Sequence, residues 1–184
     1  MKRLLLSLLL VLPFCSFAQK GMQGIGGWAG IGTCREGEGC VLTDIAIQYQ
    51  NNLTDFIRIT PYLEYATLDE YEGYRDVRSW YEVYSCGFSL HHFLIETKRL
   101  RPYVIGGFSV GYCTYEIISW YGDSDYSDYS DSFCDFRFGI GCDYRLSYHC
   151  SLQMEVIGRC ELSEIFLLHN RFLFGPNIGF TYTF

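Results

Sequence analysis

Two short constellations in this chain have the residue types of hydrolytic chemistry. His149, Ser151 and Glu155 supply a base, a hydroxyl and a carboxylate in one stretch. His169 shares a second segment with Glu161, Ser163 and Glu164. Acyl transfer needs a nucleophile, a base in reach of it and a carboxylate orienting the base. The first set surrounds a tight turn at 147–149. Gly24-x-Gly26-x-x-Ala29 fits part of a dinucleotide fingerprint. That motif requires a strand before it and a helix after it. Here a cleavage-site pattern precedes it and a Gly/Glu turn follows, so it reads as a glycine-rich strand. No CxxC or HxxxH spacing occurs. No catalytic residue, cofactor site or metal site is therefore expected.

The remaining charges follow a different pattern, set by the elements that carry them. A strand sends alternate side chains to opposite faces. In 171–184, Phe172, Phe174, Pro176, Ile178, Phe180, Tyr182 and Phe184 share one face, with Arg171, Leu173, Gly175, Asn177, Gly179, Thr181 and Thr183 on the other. In 135–146, Phe136, Phe138, Ile140, Cys142, Tyr144 and Leu146 alternate with Asp135, Arg137, Gly139, Gly141, Asp143 and Arg145. Further strands are expected at 21–32, 41–49, 56–66, 78–90, 101–115 and 152–159. They make eight in all, joined in sequence as an antiparallel up-and-down sheet. Glu82 breaks the apolar parity of the fourth, which implies a bulge or a place beyond the apolar band. Connections at 33–40, 67–77, 119–132 and 160–170 are expected on one side. Turns at 50–55, 91–101 and 147–149 are expected on the other, with 91–101 unusually long.

One face of these strands collects Asp44, Arg58, Glu64, Asp135, Arg137, Asp143, Arg145, Glu155, Arg159 and Arg171, with both signs in balance. A soluble barrel would hold hydrocarbon inside. An aromatic outer face with charges inside suits a wall against lipid. Buried charges must then pair with one another. Eight strands enclose an interior just wide enough to be filled by side chains, so a plugged barrel is expected.

The first residues point to the same compartment. Lys2 and Arg3 precede an apolar run from Leu4 to Phe14, and Ser16-Phe17-Ala18 forms a small-x-small cleavage site before Gln19. This pattern predicts a cleaved signal peptide over 1–18, leaving one barrel domain over 19–184. The 184-residue chain has a formal charge of −7, made more negative by loss of Lys2 and Arg3. With no basic run, nucleic acid is not an expected partner. Export permits disulfides among its cysteines. Cys34 and Cys40 bracket a tight REGEG loop and form the best local pair, while Cys113 and Cys134 could clamp a longer loop.

Taken together, the signal peptide, the Gly-rich first strand, RPYVIGGFSVGY, FRFGIGCDYRL and the terminal GFTYTF resemble the small outer-membrane β-barrels, porin-like and of the eight-stranded OmpA/OmpX type. The resemblance covers the whole chain after residue 18. It implies outer-membrane localisation in a Gram-negative envelope, contact with outer-membrane lipid, and reading of the C-terminal strand by the barrel-assembly machinery through Phe180, Tyr182 and Phe184. It implies no ligand. No peptidoglycan-binding domain is expected after the barrel, and the protein is expected to be a monomer. The expected role is non-enzymatic: surface loops rich in Tyr, Asp and Glu would serve adhesion, recognition of an extracellular ligand or envelope integrity. The alternatives are a small diffusion pore or a lipid-modifying enzyme. His149-Cys150-Ser151 resembles the His-x-Ser pattern of lipid A deacylases, although that family's site lies on the outward side.

Overall fold

The computed structural model describes residues 22–34, 40–72, 77–95, 99–119, 129–162 and 172–184. Eight strands run in order: β1 (Gln23–Cys34), β2 (Val41–Asn52), β3 (Ile57–Glu72), β4 (Val77–Phe93), β5 (Leu100–Ser119), β6 (Tyr129–Arg145), β7 (Cys150–Glu161) and β8 (Phe172–Thr183). Each pairs antiparallel with its sequence neighbour, and β1 closes on β8 to complete a barrel. The expected all-β, eight-stranded antiparallel architecture is the one observed.

The register is constant along every ladder, with no bulge among the described residues. Glu82 is therefore not a bulge: it points outward opposite Thr67 and Thr114. A walk along paired residues passes Gln23, Asn51, Ile59, Leu90, Gly106, Phe138, Gly158 and Phe174, then re-enters β1 at Thr33, a shear of ten residues (33 − 23). With ordinary strand spacing and rise, this shear tilts the strands by about 41° and sets a backbone radius of roughly 8 Å.

The strands at the centre of the chain are longer than the alternation of apolar residues implies. Residues 67–72, 116–119 and 129–132 extend β3, β5 and β6 beyond the expected strands, taking in parts of the expected 67–77 and 119–132 loops. Their acids and serines look like loop chemistry, but ladder hydrogen bonds do not depend on side-chain polarity. Asp69 and Glu70 simply take opposite faces. Likewise β4 runs to Phe93 and β5 starts at Leu100, so the 91–101 turn shrinks to 94–99.

The outward face is layered. Thr43, Thr67, Glu82, Thr114 and Ser130 are successive cross-strand partners and form a polar row. Two positions lower, Tyr65, Tyr84 and Tyr112 are partners in an aromatic row, with the Tyr65 and Tyr84 rings 5.1 Å apart. Below lies a belt of exposed Ile, Leu, Val and Phe, including Ile47, Leu63, Phe88, Phe108, Ile140 and Ile178. Gly158 shares the outward parity but is covered by Phe138 and Phe172, whose centroids are 5.6 Å apart. Two outward prolines interrupt the ladders. The β2–β3 pairing skips from Gln48↔Tyr62 to Asn51↔Ile59 around Pro61, and the β1–β8 pairing skips Ile31 and Gly32 beside Pro176. Proline has no N–H for the ladder.

Candidate functional site

The barrel's interior collects nearly all the charges that alternation assigns to one face. Near the outer end, Arg159 of β7 pairs with Asp44 of β2 at 2.6 Å and with Glu64 of β3. Arg137 of β6 lies 3.4 Å from Glu64 and 3.9 Å from Glu155. Its guanidinium also sits 4.5 Å over Trp28 and 5.0 Å from the centroid of Tyr62. With its amide oxygen turned inward, Asn177 accepts from Arg137 Nη2 at 3.1 Å. Asp135 accepts from the Ser109 hydroxyl. A Cβ at position 30 of β1 would stand 2.6 Å from the Asp44 carboxylate, so a larger residue there would displace the Asp44 and Asn177 side chains.

A second cluster lies nearer the chain termini. Arg58 Nη2 donates to Asp143 at 2.5 Å, and Arg58 Nε donates to Asn52 at 3.1 Å. Gln153 donates to Asp143 at 3.1 Å and accepts from Gln48 at 2.5 Å and from Thr181 at 3.3 Å. The Tyr103 hydroxyl donates to Glu155 at 2.7 Å. Glu155 thereby joins the two clusters. The rings of His91 and Phe93 pack on Tyr103 at 4.7 and 5.3 Å. Position 141 must be glycine, since a Cβ would come 2.5 Å from the Tyr103 ring.

Above both clusters the interior turns apolar: Cys40, Leu42, Ala66, Leu68, Tyr81 and Cys113 pack together with Val83, Phe133 and Leu173. Arg137 is 2 % exposed and Tyr103 1 %. The middle of the barrel is thus filled by side chains. Isolated charges this deep would cost several kcal/mol each, so their survival depends on mutual pairing.

Of the residues assigned to the interior from sequence, Arg145 sits half-buried near the end that carries the termini, and Arg171 lies outside the described residues. Sequence reading missed Arg101, His91, Glu70 and Glu161, which it placed in loops or turns. Arg101, His91 and Glu70 are buried. Their parity with Tyr103, Ser89 and Leu68 was the available signal. Cys40 is disulfide-bonded, and the side chain of its expected partner Cys34 lies outside the described residues. The Cys113–Cys134 clamp is not formed. Cys113 is a buried thiol paired in register with Asp131, three residues before Cys134. An odd offset puts the two sulfurs on opposite sides of the wall.

The hydrolytic constellation does not assemble. His149 Nδ1 lies 2.8 Å from the Thr183 carbonyl oxygen, and its ring stacks on Tyr182 at 5.6 Å. Among the described residues no hydrogen bond joins it to Ser151, and Glu155 is committed to Tyr103 and Arg137. Ser163, Glu164 and His169 lie outside the described residues. Among the described residues no group of His, Cys, Asp and Glu could hold a metal ion.

Architectural parallels are found among solved membrane barrels. The structure matches Neisserial surface protein A with a TM-score of 0.64 at 12 % identity, over 90 % of this chain and 98 % of that one. The fold is that of the small outer-membrane barrels. A major outer membrane protein of Thermus thermophilus matches with a TM-score of 0.58 at 10 % identity, over 90 % of this chain and all of the other. Ail, the attachment invasion locus protein of Yersinia pestis, in complex with the heparin analogue sucrose octasulfate, matches at 0.56 with 11 % identity and the same coverage. No family model matches the chain. No curated protein matches it in sequence. In the small-barrel fold, Phe180, Tyr182 and Phe184 stand on the outward face of the closing strand, each about half exposed or more. Phe184 N donates to Gln23 O at 2.9 Å across the β1–β8 seam.

Proposed function

We propose that this chain is an integral outer-membrane β-barrel, exported by a signal peptide over 1–18 that is then cleaved. The reading is carried by the inversion of the wall. Paired charges fill the inside, and the outside is a continuous apolar belt under a tyrosine row. Water would be a poor solvent for that belt, whereas lipid would not. The polar row from Thr43 to Ser130 marks where the belt ends.

The proposed role is non-enzymatic. The barrel is a plugged support, neither pore nor catalyst, that carries its loops at the surface for adhesion, recognition or envelope integrity. Its partners would be outer-membrane lipid, the barrel-assembly machinery acting on Phe180, Tyr182 and Phe184, and an extracellular ligand at the loops. The protein would work as a monomer without nucleic acid. The strand ends and connections over residues 67–77 and 119–132 are rich in Asp and Tyr. They favour a neutral or cationic partner, unlike the polyanion in the Ail complex.

Membrane fractionation tests the central claim. The full chain, expressed with its first 18 residues in a Gram-negative host, should appear in the outer membrane without those residues. Recovery in the soluble fraction after gentle lysis would overturn it. Loop deletion that left surface adhesion of the host unchanged would count against the adhesive role alone.

A further inference from the structure

Two of the barrel's ladders are interrupted among the described residues, and both flank the same hairpin. Between β2 and β3 the pairing stops at Gln48↔Tyr62 and resumes at Asn51↔Ile59. Between β1 and β8 it stops at Gly30↔Asn177 and resumes at Thr33↔Phe174. The ladder inside the hairpin, from β1 to β2, is unbroken from Gln23↔Asn51 to Gly32↔Leu42. The ladders from β3 round to β8 are unbroken as well.

Both breaks have one cause. In an antiparallel ladder every second pair exchanges two hydrogen bonds. Leu53 N donates to Ile57 O, so the bonded pairs of β2 and β3 are the odd-numbered ones, and Tyr49 faces Pro61 at such a position. Phe184 N donates to Gln23 O, which by the same count makes Ile31 opposite Pro176 a bonded position. Proline brings no N–H to either. Each proline therefore turns its missing donor towards the β1–β2 hairpin. Pro102 lies instead at a ladder's end, where its carbonyl accepts from Leu94 N. β1 is also poor in side chains: Gly24, Gly26, Gly27, Gly30 and Gly32 all lie within it, and glycine weakens a strand interior. Beside Pro176 the wall holds a cavity of about 10 Å³. Its lining combines Ile31 and Phe174 of the outward face with Asp44 and Arg159 of the interior. Packing across the seam is thus incomplete where the hydrogen bond is missing.

We propose that the β1–β2 hairpin is the opening element of this barrel. It parts from β3 and β8 as one unit, starting at Tyr49–Pro61 and Ile31–Pro176, while its own ladder stays intact. Proteins open locally in cooperative units that often coincide with supersecondary motifs. A hairpin whose two outer ladders are both interrupted is such a unit. Parting at Ile31–Pro176 uncovers the Asp44–Arg159 pair, which lines the cavity behind that seam. The device belongs to the wall and stands whatever the loops bind.

Amide hydrogen exchange of the full barrel in a neutral maltoside detergent, read residue by residue by NMR, tests this. The amides of Gly27 and Ala29 point to β8, and those of Ile45 and Ile47 point to β3. Their protection factors should be about tenfold or more below those of Cys86, Phe88 and Val110 in the β4–β5 ladder. The amides of Trp28, Gly30 and Ala46, which stay within the hairpin, should remain as protected as β4–β5. Pro176→Thr returns a donor to Ile31 and should raise protection at Gly27 and Ala29 severalfold. Pro61→Thr should do the same at Ile45 and Ile47. Equal protection of both seams and of β4–β5 overturns the proposal. Loss of protection at Trp28, Gly30 and Ala46 together with Gly27 and Ala29 also overturns it, because β1 would then fray alone. So does a restored donor that leaves both seams as fast as before. If either variant fails to fold, the wild-type pattern alone decides, since it separates the hairpin's outer amides from its inner ones.

Discussion

Arg159 is the residue on which the interior charge balance turns. It faces two carboxylates, Asp44 and Glu64. Removing it leaves Asp44 without its counter-ion and Glu64 with Arg137 alone in a buried interior. Arg159→Leu is expected to destabilise the barrel by about 3–5 kcal/mol, the usual result of breaking a buried pair by deleting one partner. Arg78 on the outer surface pairs with Asp69 at 2.5 Å but is 59 % exposed, and Arg78→Leu should change stability little. Guanidinium unfolding of the two variants in micelles checks the ranking. Equal losses would mean that the interior pairs are hydrated and the plug is wet. Gly141 gives a second residue-scale case. Any larger side chain meets the Tyr103 ring, which is boxed in by His91 and Phe93. Gly141→Val should cost about 1–3 kcal/mol through overpacking, read in the same assay.

Among the elements, β8 has the most distinctive part. It closes the sheet on β1, and Phe184 lies at the seam. Deletion of Phe184 is expected to lower the yield of membrane-inserted barrel severalfold, measured by immunoblot of outer-membrane fractions. Unchanged insertion would remove its role in assembly. The period-two pattern was plain from sequence over 135–145 of β6 and 174–183 of β8, because there one face is apolar and the other polar or glycine. The outer ends of β3, β5 and β6 were not legible. Asp69, Glu70 and Asp131 suggest loop by composition, yet above the apolar belt either sign of side chain is compatible with a strand. There the cross-strand partner decides, and no single segment contains its partner.

The whole molecule is a closed barrel whose side chains meet across the axis. Planar-bilayer recordings should show no steady single-channel steps; reproducible steps would mean that Arg137, Trp28 and Tyr62 leave a continuous water path. Heating before electrophoresis should shift the band, as a closed barrel resists detergent while cold. Identical mobility with and without heating would argue against a stable closed sheet. By itself, the sequence determined which side chains face each way: alternation depends only on backbone geometry, and a slip of one residue would turn every apolar side chain inward. It also carried the number of strands and their order. It did not determine the shear. A slip of two residues keeps every side chain on its own face, so faces alone leave the register open. Closure of all eight ladders selects a shear of ten. That choice sets Arg159 beside Asp44 and Glu64 and Arg58 beside Asp143, contacts between residues far apart in the chain that only the tertiary structure brings together.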